Sequence, residues 1–195
     1  MLSHHNAEYF SEEELSRFRW GSRGRDVRIH RTCVLVETGN MFIADHVRVD
    51  PYVILSASNR LNIGSYVHIA AAVTILGREA VDIRDYAGIS QGVRILSATD
   101  DFSGAAMTGP LIPPHFTKVH AAPVMIKEHV VVGAGSVILP GVTIDTGTTV
   151  GAMSLVNRSL DAWGMYFGVP ARRFRDRERG VLDLQRQFEA TRDSD

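Results

Sequence analysis

The chain has 195 residues, which is long enough to bury a hydrophobic core in one domain without stabilising disulfides or metals. Hydrophobic residues make up 45% and charged residues 22%, which excludes bulk disorder, and the formal charge of -1 at pH 7 gives no overall field for nucleic acid. The single cysteine, Cys33, excludes an intramolecular disulfide framework and a zinc site built from several thiolates.

The amino-terminal segment predicts one helix and is not typical of a signal sequence. Residues 1–5 lack signal character, and no apolar run reaches the roughly 18 residues of a transmembrane helix. We therefore expect a cytoplasmic protein without a membrane or nucleic-acid partner. Ser11 and Glu14 have the spacing of a capping box, which predicts a helix over Glu12–Trp20 that covers one end of the following domain.

Aliphatic residues recur every six positions through most of the chain. Three sets of three lead successive blocks, each set offset from the next by 20 residues: Ile43, Val49 and Leu55; Ile63, Ile69 and Ile75; Ile83, Ile89 and Ile95. A weaker set around Val27, Ile29 and Val34 predicts an opening coil. A fixed period of this kind is typical of a repeat architecture and outweighs local propensity.

The period becomes strict after residue 123. The leading positions hold Ile126, Val132, Ile138, Ile144, Val150 and Val156, and the fifth positions hold mostly small or β-branched residues, Val130, Ser136, Val142, Thr148, Ser154 and Leu160. This pattern predicts three short strands per coil of about 18 residues, with the leading aliphatics stacked inside a triangular prism. An antiparallel β-sandwich is the alternative, but its turns recur at a variable spacing of about 8–12 residues.

The segments outside the repeats predict an insertion and two extensions. Residues 98–123 interrupt the period and predict a loop inserted between two coils. Beyond the last coil, the stripe Val181, Leu184 and Phe188 predicts a C-terminal helix packed on the prism. We expect a helical cap in residues 1–26, the repeat domain in 27–161, and a tail with the helix in 162–195.

These blocks resemble the hexapeptide repeat of the left-handed β-helix acyltransferases, over roughly Arg28 to Arg177. The inserted loop is similar to that of the galactoside and maltose O-acetyltransferases, and the run from Gly168 to Arg172 is similar to the family's Gly-x-Pro-Ala-Lys/Arg tail motif. Two further runs, Ser97–Gly104 and Ser154–Asn157, resemble the N-acetyltransferases of nucleotide-linked amino sugars. The resemblance implies an all-β, left-handed parallel β-helix.

The resemblance also implies a function. It implies a homotrimer with each active site between two prisms, acetyl-CoA as the donor, and a nucleotide-linked amino sugar as the acceptor, acylated on nitrogen for a cell-surface polysaccharide. The alternative within the family is O-acetylation of a sugar hydroxyl. A non-catalytic scaffold with the same fold leaves the loop, the tail motif and the arginine cluster unexplained.

The donor is expected along the last coils and the tail. Acyl transfer needs an aligned nucleophile and groups that stabilise the oxyanion. The predicted cofactor-binding residues in the groove are Gly133, Ala134, Gly151, Ala152 and Asn157. The resemblance places the tail where the nucleotide end of the coenzyme binds, which implies that Arg172 and Arg175 contact its phosphates. The alternatives are that tight corners themselves require small side chains, and that the arginines only begin the C-terminal helix in solvent.

The catalytic base is the harder assignment. The galactoside-type enzymes carry a histidine at the start of the inserted loop, where this sequence has Asp101 preceded by Asp100. Either carboxylate accepts a proton or binds an amino sugar, and an amine needs a base less than a hydroxyl does. His68, at the outward sixth position of its block, is the predicted base or proton relay. The structural alternative is a histidine that only forms hydrogen bonds.

The remaining histidines suggest weaker hypotheses. His46 and His129 share the fourth position of their blocks and are interpreted as structural, while His4, His5 and His30 lie outside the well-formed repeats. His115 and His120 lie five residues apart, as do two of the three metal-binding histidines of the γ-class carbonic anhydrases, which share the prism. Here the pair falls in a proline-rich loop that is a poor frame for a tetrahedral site, so no metal is expected.

Overall fold

Three parallel sheets form the walls of a triangular prism in the computed structural model, which describes residues 8–192. His4 and His5 lie outside the described residues. Strands are numbered in chain order. The first sheet contains β1 (Ser22–Arg23), β4 (Met41–Ile43), β7 (Leu61–Ile63), β10 (Val81–Ile83), β15 (Val124–Ile126) and β18 (Thr143–Ile144).

The other two walls follow the same order along the prism. The second sheet contains β2 (Arg28–Ile29), β5 (Arg48–Val49), β8 (His68–Ile69), β11 (Gly88–Ile89), β16 (Val131–Val132), β19 (Thr149–Val150), β21 (Gly164–Phe167) and β22 (Arg172–Asp176). The third contains β3 (Val34–Val36), β6 (Ile54–Ser56), β9 (Thr74–Leu76), β12 (Arg94–Leu96), β17 (Val137–Ile138) and β20 (Leu155–Val156). Each set of three consecutive strands therefore makes one coil.

The predicted leading aliphatics form continuous buried columns. In the first sheet, parallel pairing joins Ile43, Ile63, Ile83, Ile126 and Ile144, each at most 2% exposed. The equivalent residues of the other two sheets are buried in the same way. The prediction of an all-β, left-handed parallel β-helix is thus confirmed, with roughly seven coils stacked about 4.8 Å apart.

The fifth positions of the blocks also point into the core, and their hydroxyl groups are satisfied there. Ser136 Oγ donates to the Gly151 carbonyl at 3.0 Å, and Thr148 Oγ1 donates to the Asp161 carbonyl at 2.8 Å. Ser154 Oγ accepts from the Gly168 N–H at 3.1 Å. Small polar residues are tolerated in the core because each bonds the backbone of an adjacent turn.

Helix α1 is shorter than predicted. The capping box is present, but the helix covers only Glu12–Ser16 instead of reaching Trp20. The Trp20 indole Nε1–H donates to the Leu15 carbonyl at 2.7 Å and so satisfies a carbonyl at the helix end. Leu15 is fully buried in the core, and α1 therefore covers the amino-terminal end of the prism.

Helix α2 (Val181–Arg192) lies against a ladder of four stacked rings at the corner between the first and second sheets. His46, Tyr66, Tyr86 and His129 all have positive φ and stack with ring centroids 4.8–5.1 Å apart. Phe188 packs edge-on against Tyr66, whereas Leu184 of the predicted stripe is 64% exposed. The ladder itself holds the helix: Tyr86 donates to Glu189, and His129 bonds Gln185.

The inserted loop leaves the prism after β12 and returns to it at β15. Its base is closed by antiparallel pairing of β13 (Ala98–Thr99) with β14 (His120–Ala121). A short 3-10 helix spans Pro114–Phe116, and another lies at Thr38–Asn40 in the opening coil. In residues 8–192, no helix has the length and apolar character needed to cross a membrane.

The arginine-rich tail is a strand and not the start of the C-terminal helix. β22 pairs antiparallel with β21, and α2 begins only at Val181. The alternative interpretation of the arginines as the first turn of a helix is therefore wrong. Pairing with β21 explains this, because it satisfies the backbone of the arginine segment while every side chain of β22 stays exposed.

Candidate active site

His68 lies on the outward face of the second sheet, at the middle of the prism. Its neighbours in register are Arg48 on one side and Gly88 on the other, followed by Val131. His68 Nε2 lies 2.8 Å from Asp50 Oδ2, and the imidazole side chain is 52% exposed. The predicted base is thus accessible and paired with one carboxylate.

Asp50 is the most heavily bonded carboxylate of this surface. It accepts hydrogen bonds from Tyr9 Oη at 3.0 Å and from Arg48 Nε at 2.7 Å, besides its contact with His68. Burial raises the pKa of Asp50, but the bonds from His68, Arg48 and Tyr9 outweigh burial and lower the pKa below its usual value. Asp50 is therefore ionised at neutral pH.

Ser90 belongs to the same surface and was missed by the sequence analysis. Asp50, Ala70, Ser90, Gly133 and Gly151 each donate a backbone hydrogen bond to the next coil, and so form one column along the corner between the second and third sheets. Ser90 follows Gly88, the register partner of His68, by two residues and faces outward beside it. The sequence signal that could have found Ser90 is its position in the block, because the equivalent positions of the other coils carry small residues (Ala70, Gly133 and Gly151) or a carboxylate (Asp50).

The two predicted groove glycines have a packing role. A Cβ on Gly133 would lie 2.4 Å from the Ala152 backbone nitrogen, and one on Gly151 would lie 1.9 Å from the Phe167 ring. Ala152 and Asn157 are exposed, while Ala134 is half-buried. The close packing of the coils explains why both positions carry glycine. Ala134, Ala152 and Asn157 are the predicted groove residues whose identity this packing does not explain.

The two loop carboxylates have different surroundings. Asp101 accepts from Ser103 Oγ at 2.9 Å and from the Ala105 N–H at 3.0 Å, and these bonds lower the pKa of its carboxyl. Asp100 is exposed and lines a pocket of about 300 Å³ under the loop together with Arg78. Asp101 thus shapes the turn, whereas Asp100 faces a space that a ligand can enter.

The arginines of the tail divide into engaged and free groups. Arg173 pairs with Asp176 at 2.7 Å, and Arg177 donates to the His129 and Gly147 carbonyls. Arg172 and Arg175 are exposed, and neither forms an ion pair within residues 8–192. The two predicted phosphate contacts are therefore cations free to meet an anion.

The predicted residues do not all meet within one chain. His68 and Ser90 share the second sheet's outer surface, whereas Asp100 and Asp101 lie in the loop beyond β12. Ser90 precedes β12 and Asp100 follows it, so they lie at opposite edges of the third sheet. The three residues of β12 alone span about 10 Å.

The loop histidines form no metal centre. His115 stacks on Phe116 with ring centroids 4.0 Å apart, and His120 lies in β14. Over the described part of the chain, no three or more His, Cys, Asp or Glu side chains are grouped so that they could hold a metal ion.

Comparison with known proteins identifies the family of the chain. Residues 123–158 match the bacterial transferase hexapeptide pattern of six repeats. The dTDP-4-amino-4,6-dideoxy-D-glucose acyltransferase of Escherichia coli is 34% identical over 181 residues, covering 92% of this chain and 94% of that enzyme. The chain belongs to the hexapeptide-repeat acyltransferase family.

Two further acyltransferases match the chain over different shares of its length. AntD, an N-acyltransferase from Bacillus cereus crystallised with dTDP and 3-hydroxybutyryl-CoA, is 39% identical and superposes with a TM-score of 0.92, over 95% of this chain and 98% of AntD. The lipopolysaccharide biosynthesis O-acetyl transferase WbbJ of Escherichia coli is 31% identical over 121 residues, which cover 59% of this chain and 57% of WbbJ. The Escherichia coli sugar acyltransferase and AntD thus match over far more of the chain than WbbJ does.

Proposed function

We propose that this protein is an acyl-CoA-dependent N-acyltransferase of a nucleotide-linked amino sugar. The observation that carries the proposal is the likeness, over nearly the whole length of each chain, to an Escherichia coli sugar acyltransferase and to AntD. Acetyl-CoA is the expected donor, and a dTDP-linked 4-amino-4,6-dideoxy sugar is the proposed acceptor. The acylated sugar would serve cell-surface polysaccharide synthesis, starting from a cytoplasmic nucleotide sugar.

Ser90 and Asp100 are the proposed contacts of the acceptor amine. Crystallised variants of AntD replace a serine and an aspartate that lie ten positions apart, one of them in complex with dTDP-4-amino-4,6-dideoxyglucose and CoA. Ser90 and Asp100 have the same spacing here. Asp100 is accessible from the loop pocket, where Arg78 supplies a cation suited to a phosphate.

The donor is proposed to lie along the corner column and the tail. Ala134 and Ala152 line the path of the pantetheine arm, since each directly follows a close-packed glycine of the last coils, whereas Asn157 lies across β20 at the other edge of the third sheet. Arg172 and Arg175 meet the phosphates of the coenzyme, because exposed guanidinium groups that form no ion pair in the described chain bind such anions through charge-assisted hydrogen bonds.

The chemical step is a direct aminolysis of the thioester. The amine lone pair attacks the carbonyl carbon, the C–N bond forms, and collapse of the tetrahedral oxyanion breaks the C–S bond. The proton lost by the nitrogen passes to His68, and the departing thiolate takes up a proton to give free CoA. Asp100 orients the amine by accepting its N–H.

A homotrimer is proposed because one chain does not bring the site together. Ser90 and Asp100 lie at opposite edges of the third sheet, so a site that uses both needs the loop of a second copy. The outward face of that sheet exposes several apolar side chains beside the exposed Arg94: Val34 is 51%, Val36 42% and Leu76 38% accessible. Such a face favours burial against another chain.

The alternative is O-acetylation of a sugar hydroxyl, which the partial match to WbbJ favours. A thiol-release assay with acetyl-CoA and 3-hydroxybutyryl-CoA separates the two, using dTDP-4-amino-4,6-dideoxyglucose in one arm and free galactosides or maltose in the other. We expect turnover with the amino sugar only. Turnover with hydroxyl sugars alone would instead assign the alternative and make a base obligatory.

Substitutions in the same assay test the assigned residues. We expect Ser90→Ala and Asp100→Asn to lower kcat/KM at least tenfold, and His68→Ala to lower kcat by about 10²–10⁴-fold. Asp101→Asn is the matched comparison, because it removes the neighbouring charge while acting on the turn. A larger loss of kcat for Asp101→Asn than for Asp100→Asn, with an unchanged melting temperature, would exchange their roles.

A further inference from the structure

Asp50 is placed one coil away from His68 at the end of β5. Its side chain is only 14% exposed, and its two oxygens divide their bonds: Oδ1 accepts from Tyr9 and Arg48, and Oδ2 contacts His68 Nε2. Three donors from three segments of the chain therefore fix one carboxylate. A carboxylate held in this way has little freedom to turn.

The contact determines which nitrogen of His68 is basic. An ionised carboxylate only accepts hydrogen bonds, so Nε2 must carry the proton that it shares with Asp50. In the neutral imidazole the lone pair is then on Nδ1. Nδ1 has no hydrogen-bond partner among residues 8–192, and the ring is half-exposed.

A second His–Asp pair in the chain shows what a structural pair looks like. His46 Nδ1 lies 3.1 Å from Asp26 Oδ2, and Asp26 also accepts from Arg28 Nε at 2.9 Å. The His46 ring, however, is stacked on Tyr66 in the corner ladder. His68 has no such ring contact in the described chain, so its pair is not explained by packing.

The surface beside His68 is open to a ligand. Gly88, its register partner on the next coil, has no positive φ, and a Cβ built there meets nothing within 4 Å. Neither backbone geometry nor internal packing therefore requires glycine at this point of a strand, where glycine is less favourable than alanine. Ser90 lies on the same open face, two residues after Gly88.

We propose that Asp50 is a positioning residue that holds His68 with Nδ1 free toward the open surface at Gly88 and Ser90. The inference rests on the proposed function, because it gives His68 the proton of the acceptor amine. The charged or titratable groups that face the pair are Arg48 from the same strand, Tyr9 from the amino-terminal segment and Cys33, whose Sγ lies 3.2 Å from the Asp50 carbonyl oxygen; β11 contributes only Gly88. As the C–N bond forms, Nδ1 takes the amine proton, and Asp50 stabilises the resulting imidazolium.

The first test measures the geometry without turnover. Histidine carbon and nitrogen NMR shifts are followed from pH 5 to 9 in the full chain, with His68 assigned by a His68→Gln variant. In Asp50→Asn we expect the single neutral tautomer of His68 to be lost, because the carboxylate that holds the proton on Nε2 is gone. An unchanged His68 tautomer would overturn the inference, whether or not the acceptor is correct.

The second test measures catalysis, with Asp26→Asn as the matched control in the other pair. We expect Asp50→Asn to lower kcat about 10–10³-fold with both KM values within threefold. Asp26→Asn should leave kcat within twofold. Tyr9→Phe removes one donor but keeps the carboxylate, so it should leave the His68 tautomer in place.

The outcomes separate the two proposals. Altered NMR behaviour in Asp50→Asn without a change in kcat would show that Asp50 orients His68 but not for catalysis, which overturns the inference. A wild-type protein that acylates no amino sugar would overturn the proposed function, and with it the role of the pair in proton transfer. A fall in melting temperature together with equal losses of kcat in Asp50→Asn and Tyr9→Phe would assign Asp50 to folding alone.

Discussion

The tail arginines differ in what holds them. Arg177 is half-buried and donates to two corner carbonyls, at 2.7 Å from His129 and 3.0 Å from Gly147, and burial lowers its pKa. Arg175 is exposed and bonds only the Met165 sulfur at 3.3 Å within the described chain. One guanidinium therefore fastens two coils, while the other is available for an anion.

This difference predicts opposite consequences of the same substitution. Arg177→Ala should destabilise the fold by about 1–3 kcal/mol, because two carbonyls lose their donor, with little change in the KM for acetyl-CoA. Arg175→Ala should raise that KM about 3–30-fold with an unchanged melting temperature. Thermal unfolding and donor-saturation curves check both. If Arg177→Ala alone raised KM, the phosphate contact would belong to Arg177.

At the residue scale, the sequence predicts which residues lie in register on adjacent coils better than it predicts contacts between residues that are out of register. The offset of 20 residues correctly places Ile43 over Ile63, and it places His68 over Arg48. The contact of His68 with Asp50 spans 18 residues and depends on how both side chains turn, which no period encodes. Ser90 was missed for a related reason, because the role proposed for it depends on a neighbour across the sheet.

At the element scale, the amino-terminal cap depends on one carboxylate. Glu14 accepts from the Ser11 N–H at 2.8 Å and from both Arg31 guanidinium nitrogens at 2.7 Å. Hydrogen bonds from Arg31 and then from Ser11 lower the pKa of Glu14 from 4.5 to about 2. The helix cap and the opening coil are thus joined through a charge that acid removes.

The cap should loosen in acid before the prism does. Since the pKa of Glu14 is depressed on folding, its stabilisation is present above about pH 4.5 and is lost as the pH falls toward 2. Fluorescence of Trp20, recorded in a Trp163→Phe background, should report a transition in that window. Glu14→Gln should abolish the pH dependence, whereas Glu13→Gln, whose pair with Arg17 is exposed, should preserve it. A transition that persists in Glu14→Gln would have another origin.

Elements outside the repeats were the least predictable. The capping box correctly marked the start of α1, but its end depends on Trp20 folding back on Leu15. Considered alone, the arginine run is compatible with the polar first turn of a helix. In the structure it pairs with the free edge of β21 and forms strand β22. In both cases a tertiary contact overrides the local preference, as expected where no period constrains the chain.

At the scale of the whole molecule, the prism keeps apolar side chains exposed on the outward face of one sheet. Its inner columns are buried along their full length, but the outward face of the third sheet keeps Val34, Val36 and Leu76 accessible. The outward face of the first sheet is more polar, with Asn62 bonded to Asp82. A self-association that completes the site should therefore use the third wall.

Leu76→Glu tests this assembly. Because Leu76 is 38% exposed in the single chain, the substitution should leave the fold intact, as judged by circular dichroism. Burying an unpaired carboxylate between copies is costly, so the mass from sedimentation should fall from three chains toward one. Activity should fall at least tenfold with it, since Ser90 and Asp100 of different copies no longer meet. Thr143→Glu, on the outward face of the first sheet, is the matched control and should retain both mass and activity. Dissociation by Thr143→Glu but not by Leu76→Glu would place the interface on the first wall.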